Sequence, residues 1–127
     1  MSQTQVLLYN FTDSERLRRI RRYLNKEKIP VRLVQAPEFL ETLGYLFEIP
    51  GFSRTPSFNL GGNFHEEMMV MKDFSDGQMD AFLAFFRENS LPPVDLKAVL
   101  TPVTMHWTSL QLYEELSKEH ASLKKNR

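Results

Sequence analysis

The eight residues from Thr101 to Thr108, TPVTMHWT, carry the most varied chemistry in the chain. Three hydroxyls, an imidazole and an indole lie close together here, on Thr101, Thr104, Thr108, His106 and Trp107. The segment follows a predicted strand and precedes a predicted helix, where free backbone amides and the helix dipole favour anions. The pattern therefore predicts a candidate binding site for a small anionic ligand.

The same segment has two other interpretations. In the structural one, Thr108 only caps the following helix, Trp107 only packs against it and His106 is exposed. In the catalytic one, His106 and the neighbouring threonines act on a small molecule. Because spacing alone does not define a nucleophile, a base and an orienting group, we assign no catalytic residue and favour a protein that is not an enzyme.

A second candidate site is a cluster of arginines on one predicted helix, at Arg16, Arg18, Arg19, Arg21 and Arg22. Eight basic residues and one acidic residue lie between Arg16 and Arg32, although the whole chain has 16 of each charge. Such a helix could contact phosphates. No aromatic residues interleave for base stacking and no DNA-reading motif surrounds the arginines. We therefore favour a solvated face, or a match for the acidic face of another subunit, over nucleic acid.

Cofactor and metal motifs are missing from the sequence. The stretch NLGGN at 59–63 has neither the lysine of GxxxxGK[ST] nor the spacing of GxGxxG, so we interpret it as a turn. His65-Glu66-Glu67 lacks the second histidine of HExxH, and the other histidines are scattered. The absence of cysteine excludes disulfides, thiol catalysis and thiolate metal sites. We predict no cofactor and no metal.

An internal repeat organises the elements that must position these residues. Phe11-Thr12-Asp13 matches Phe74-Ser75-Asp76 at a displacement of 63 residues. The same displacement pairs Ile20 with Leu83, Tyr23 with Phe86, Pro30 with Pro93, Val31 with Val94 and Leu33 with Leu96. Both copies carry a predicted capping box, formed by Thr12 with Glu15 and by Ser75 with Gln78. These matches predict that an ancestral half-length segment was duplicated.

Hydrophobic periodicity and helix-end signals predict four strands and four helices. The predicted strands are Gln5–Asn10, Val31–Val34, Glu67–Lys72 and Val94–Leu100. The predicted helices are Asp13–Lys26, Pro37–Ile49, Asp76–Asn89 and a last one from the Thr108 cap to about Leu123. Residues 51–65 show no period and are predicted to be a long surface loop.

The order of these elements predicts an α+β, ferredoxin-like fold. Two pseudo-symmetric βαβ(α) repeats, at about 5–49 and 66–124, would share one four-stranded sheet and be joined by a loop at 50–65. Right-handed crossovers would place the two capped helices on the same sheet face. We predict a single domain over residues 1–127. The alternative is an open, mostly parallel α/β sheet.

The second half resembles a small bacterial family catalogued as a domain of unknown function, number 3783 in that series. The residues that carry the resemblance are FSDGQMDAFLAFF, PPVDLKAVLTP and WTSLQLYEELSKEH, and it covers roughly Glu66–Ala121. The first half is similar to the associated N-terminal region, although the Gly61-Gly62-Asn63 insertion departs from the family pattern. The resemblance implies no activity.

Composition bounds the remaining questions. No apolar run approaches the ~20 residues that span a bilayer, and the N-terminus lacks a basic signal-peptide region. We therefore expect a cytoplasmic protein with no membrane contact. Helices rich in aromatic residues and methionine could leave a surface that pairs subunits. The prediction is a non-catalytic regulatory or interaction module that self-associates as a homo-oligomer, most simply a homodimer, and binds a small anionic ligand.

Overall fold

The computed structural model describes residues 3–56, 59, 61 and 63–125. Its strands are β1 (Gln5–Tyr9), β2 (Val31–Val34), β3 (Met68–Lys72) and β4 (Leu96–Val99). Its α-helices are α1 (Ser14–Lys26), α2 (Leu43–Leu46), α3 (Asp76–Glu88) and α4 (Ser109–Lys125). Single turns of 3₁₀ helix lie at Ala36–Glu38 and Thr104–His106. Within the predicted 51–65 loop, Ser57, Phe58, Leu60 and Gly62 lie outside the described residues.

The four strands form one mixed sheet in the order β2-β1-β3-β4, which confirms the α+β class. β1 runs parallel to β2, and β3 runs parallel to β4, while β1 and β3 are antiparallel neighbours. The ferredoxin-like arrangement is not confirmed, because each pair of parallel strands is directly adjacent. In the split βαβ unit of that fold, a strand of the other half separates them. The mostly parallel alternative is met only within each half.

Both faces of the central strand pair are buried. In β1, Val6 and Leu8 face one layer while Leu7 and Tyr9 face the other, and all four side chains are at most 1% exposed. This agrees with the uninterrupted apolar run of a strand that is covered on both sides. The first layer contains α1 and α3, which therefore lie on the same sheet face, as predicted. The second layer contains α2, α4 and the described part of the loop near Phe64.

The two long helices begin with different chemistry. Ser75 and Gln78 form the predicted capping box at α3, with bonds of 3.1 and 2.9 Å. The predicted Thr12–Glu15 box at α1 is wrong, because the Asp13 carboxylate accepts from the Arg16 amide at 3.1 Å instead. A carboxylate at this position also stabilises the positive end of the helix dipole.

That change of cap moves the correspondence between the two helices by one residue. The buried residues of α1, Ile20 and Leu24, occupy the places of Phe82 and Phe86 in α3, a displacement of 62 residues. The predicted pairing of Ile20 with Leu83 is therefore wrong by one position.

Outside the helices the halves also match locally. Asn10 and Asp73, 63 residues apart, have φ of 62° and 60°, and Leu7 lies opposite Val70 in the β1–β3 ladder at the same displacement. Descent of the two halves from one duplicated segment stays a prediction.

The predicted helix over Pro37–Ile49 is wrong in its continuity. A 3₁₀ turn at Ala36–Glu38 is followed by extended backbone at Thr42, and only Leu43–Leu46 is α-helical. The hydroxyl of Thr42 accepts from the Tyr45 amide at 3.2 Å, and Thr42 forms an isolated antiparallel bridge with Thr108. Because this bridge needs extended backbone, the helix cannot start before residue 43.

We expect Gly44→Ala to lower the free energy of unfolding by about 1–2 kcal/mol, as for other overpacked contacts. A Cβ at Gly44 would lie 2.6 Å from ring carbons of Phe52, so the ring has to shift. Urea denaturation measures the change. The matched control is Gly77→Ala in the first turn of α3, where the nearest atom would be 4.0 Å away, so stability should hold or rise. Equal stability of Gly44→Ala and the natural protein would contradict the expected clash.

Candidate functional site

The hydroxyls of Thr101 and Thr104 are used within the chain. The Thr101 amide donates to Thr104 Oγ1 at 2.9 Å, and the Thr104 amide donates to Thr101 Oγ1 at 3.0 Å. The two hydroxyl oxygens are 3.1 Å apart. This reciprocal arrangement has the form of a capping box made of two threonines. It accounts for both side chains without a ligand.

Thr108 and Trp107 have structural roles at the start of α4. Thr108 caps the helix through a capping box with Gln111, with bonds of 3.2 and 2.8 Å. The Trp107 ring packs against the core, and its carbonyl accepts from the Leu43 amide at 2.9 Å. The Leu110 amide donates to the Phe39 carbonyl at 3.4 Å. Two of the first amides of α4, those of Leu110 and Gln111, are therefore already engaged.

His106 is exposed and lies against the ring of Phe52, with ring centroids 5.1 Å apart. Among the described residues no side chain forms a hydrogen bond with its imidazole. A general base needs an orienting partner and a proton within hydrogen-bond reach, and the described part of the segment 101–108 supplies neither. The anionic-ligand and catalytic interpretations of this segment stay predictions, while each of its polar groups except His106 has a structural partner.

An open groove of about 450 Å³ lies beside Thr101, at the carboxyl ends of β3 and β4. Gln3, Gln5 and Lys72 contribute polar groups to its wall. The Lys72 ammonium donates to the Gln3 carbonyl at 2.8 Å and to the Asp73 carboxylate at 2.9 Å. The nearest cation is thus already neutralised by a carboxylate of the chain itself.

The arginines of α1 divide into an inward residue and an outward set. Arg16 is only 8% exposed and forms a two-pronged ion pair with Glu67, with its Nε and Nη2 each 2.9 Å from a carboxylate oxygen. Its Nη1 donates to the Pro92 carbonyl at 2.6 Å. Arg16 therefore joins α1 to β3 and to the segment that follows α3, and its guanidinium is occupied within the chain.

The outward set forms a stripe along α1. Arg18, Arg21 and Arg22 are exposed and spaced at i, i+3 and i+4, so they share one helix face. Arg18 donates twice to Glu15, and this hydrogen bond lowers the pKa of the Glu15 carboxyl. Neither Arg21 nor Arg22 has an ion-pair partner in the described part of the chain. We call these three residues the arginine stripe; it borders an open groove of about 520 Å³ whose wall includes Leu17.

A second groove, of about 360 Å³, runs between α1 and α3. It is lined by Arg19, Arg22, Tyr23, Lys26, Phe85 and Asn89. The half-buried rings of Tyr23 and Phe85 are stacked, with centroids 4.6 Å apart. Arg19 Nη2 donates to Asn89 Oδ1 at 3.2 Å. We call this the aromatic groove; Arg22 borders both it and the first groove.

The aromatic groove was missed by the sequence analysis. That analysis considered aromatic residues within α1, whereas Phe85 comes from α3, far along the chain. A signal was present, because both capped helices were predicted to lie on the same sheet face. Placing Phe85 beside the outward arginines also requires the helix correspondence, which was predicted one residue out of register.

Two tyrosines outside the predicted sites make buried or shielded hydrogen bonds. Tyr9 Oη and Ser109 Oγ are 2.7 Å apart in the core, and burial raises the pKa of the Tyr9 phenol above its ordinary value. Tyr113 donates to the Glu66 carboxylate, and this bond raises the pKa of Tyr113 and lowers that of Glu66. Both pairs attach α4 to the rest of the fold.

The described helices include none that is both long and apolar enough to cross a membrane. Across residues 3–56, 59, 61 and 63–125, no group of three or more histidine, cysteine, aspartate or glutamate side chains could hold a metal ion.

Comparison with known proteins identifies only the second half of the chain. Residues 67–123 match a family model described as a domain of unknown function (DUF3783), which confirms the resemblance predicted for this segment. No curated protein and no solved structure matches the chain. The matched segment contains β3, α3, β4 and α4 together with Glu67, the partner of Arg16. It does not contain α1.

We expect Glu67→Gln to lower the free energy of unfolding by about 2 kcal/mol, because it leaves the buried Arg16 charge without its counterion. Urea denaturation at neutral pH measures the change. The matched control is Glu15→Gln, which breaks the exposed pair with Arg18 and should leave stability unchanged within error. Equal effects of the two substitutions would show that the Arg16–Glu67 pair is no more important than a surface ion pair.

Proposed function

We propose that this chain, whose second half matches a family with no described activity, is a non-catalytic interaction module. Its partner is an anionic macromolecule that docks on the arginine stripe of α1. The observation that supports this most is the exposure of Arg21 and Arg22 on the same helix face as Arg18, with no counterion among the described residues. Uncompensated like charges on one helix face repel each other, and an anionic partner would relieve that repulsion.

The chemistry of the stripe suits recognition better than solubility alone. Arginine presents a planar fork of donors that matches carboxylates and phosphates, whereas lysine is a strongly hydrated point charge. α1 contains five arginines and one lysine. The side chain of Leu17 lies within the same groove and adds an apolar contact.

α1 is also held rigidly, which reduces the entropy lost when a partner docks. Ile20 and Leu24 are fully buried in the core beneath the helix. Arg16 adds polar contacts to Glu67 and to the Pro92 carbonyl on the inner side. The stripe is therefore presented on a fixed backbone, and the charge is local because the chain as a whole is neutral.

We expect the double variant Arg21→Glu/Arg22→Glu to lose retention on immobilised heparin, used here as a polyanion probe. The natural protein should be retained at low salt and released as salt rises. The matched control is Arg54→Glu/Lys118→Glu, which changes the net charge equally at exposed positions outside α1. Salt at elution is the measurement. Equal weakening by both variants, or no retention of the natural protein, would contradict docking on the stripe.

We also propose that the chain self-associates along β4. This strand is an edge of the sheet, and edge strands offer unpaired backbone groups to a second chain. Val99 on β4 is 47% exposed, and Val103 just beyond it is 65% exposed. Lys97, a residue that could discourage edge pairing, donates to the Val94 carbonyl at 3.0 Å. A second copy that pairs β4 with β4 would cover this edge.

The oligomeric state tests self-association directly. Light scattering during size exclusion should give a dimer mass whose population rises with concentration. We expect Val99→Lys to shift the mass to that of a monomer. The control Leu123→Lys changes an equally apolar residue on α4 that is 64% exposed, and it should keep the dimer. A monomer at every concentration, or equal effects of the two substitutions, would contradict pairing through β4.

A further inference from the structure

We infer that the anionic partner is a single-stranded nucleic acid that lies across α1 and α3, with phosphates on the arginine stripe and a base against the aromatic groove. This inference rests on the proposed docking function and names the class of partner. It depends on the two grooves being neighbours. Arg22 borders both of them, so a ligand that contacts its guanidinium is in reach of either.

The aromatic groove provides what a simple anion site lacks. Tyr23 and Phe85 are half-buried, with stacked rings 4.6 Å apart, and Phe82 supports Tyr23 from below at 5.6 Å. Arg22 and Lys26 flank these rings. Single-strand binding proteins combine a positively charged path for the backbone with aromatic side chains for the bases. An acidic peptide would use the arginines but has no flat ring to place beside Phe85.

The packing of α1 favours a single strand over a duplex. A helix that reads duplex DNA enters a major groove about 12 Å wide, and a helix with its side chains is itself about 10–12 Å across. α1 lies directly beside α3, to which Arg19 and Asn89 join it with a bond of 3.2 Å. One flank of α1 is thus blocked, so the helix cannot insert. A flexible strand can follow the surface that both helices present.

The polar groups at the base of the aromatic groove are already engaged. Asn89 Nδ2 donates to the Phe85 carbonyl at 2.8 Å, and Asn89 Oδ1 accepts from Arg19. The side chain that could otherwise read a base edge is therefore held in the fold. Stacking without such readout tolerates every base, so we infer binding with little sequence preference.

The experiment compares three labelled probes by fluorescence anisotropy at low salt: a 12-nucleotide oligothymidylate, a 12-base-pair duplex and an oligoglutamate peptide. We expect the oligothymidylate to bind most tightly. Three phosphate contacts predict a slope of about −2 in the logarithm of the binding constant against the logarithm of salt concentration. Equal binding of an oligoadenylate of the same length would support the lack of sequence preference.

Phe85→Leu separates stacking from charge, because it removes the ring and keeps an apolar side chain. We expect it to weaken oligothymidylate binding about 5- to 100-fold, the range for one stacked base, and to leave heparin retention unchanged. The matched control is Phe74→Leu, which removes a ring from the same core layer but outside the aromatic groove. Far-UV circular dichroism checks the fold of both. Should Phe85→Leu not fold, Tyr23→Leu serves as the second variant.

The outcomes separate the two proposals. Retention on heparin through Arg21 and Arg22 together with tighter binding of the duplex or of the oligoglutamate would overturn the single-strand inference and leave the docking function standing. An unchanged affinity in both Phe85→Leu and Tyr23→Leu would do the same. If neither heparin nor any of the probes binds, both proposals fail together.

Discussion

The antiparallel contact between β1 and β3 is the constraint on which the rest of the structure depends. Each strand belongs to a different half of the chain, and each is buried on both faces. A slip by one residue would exchange the two apolar faces of a strand. Here both faces are filled by different layers, so such a slip would disturb α1 and α3 as well as α2 and α4. The position of α1 beside α3, and hence of the aromatic groove, follows from this register.

Polar contacts then adjust what the apolar core has positioned. Arg16 meets Glu67 immediately before β3, and Tyr9 meets Ser109 at the start of α4. Each contact joins an element of the first half to one of the second. A buried polar group is costly unless it is paired, so these two contacts require both halves to be correctly docked at once. They specify the arrangement more than they add to its stability.

Those parts of the fold that depend on local chemistry could be predicted from the sequence. The strand Val31–Val34 and the Ser75–Gln78 cap were predicted as they occur, because they depend on neighbouring residues. The break at Thr42 was not predictable, since it exists to bridge Thr108 across the molecule. The candidate sites behave in the same way. Spacing identified the arginines, but it could not show that Arg16 turns inward to Glu67 or that Phe85 joins Tyr23.

The boundary of the family match does not coincide with a unit that can stand alone. Residues 67–123 include β3, and four consecutive side chains of that strand, Met68 to Met71, are at most 2% exposed. Cut away from the first half, this segment would carry its most apolar strand at the rim of a two-stranded sheet. Such a rim recruits other chains. Proteins built on the same segment therefore need something in the place of β1, either a preceding half like this one or another molecule.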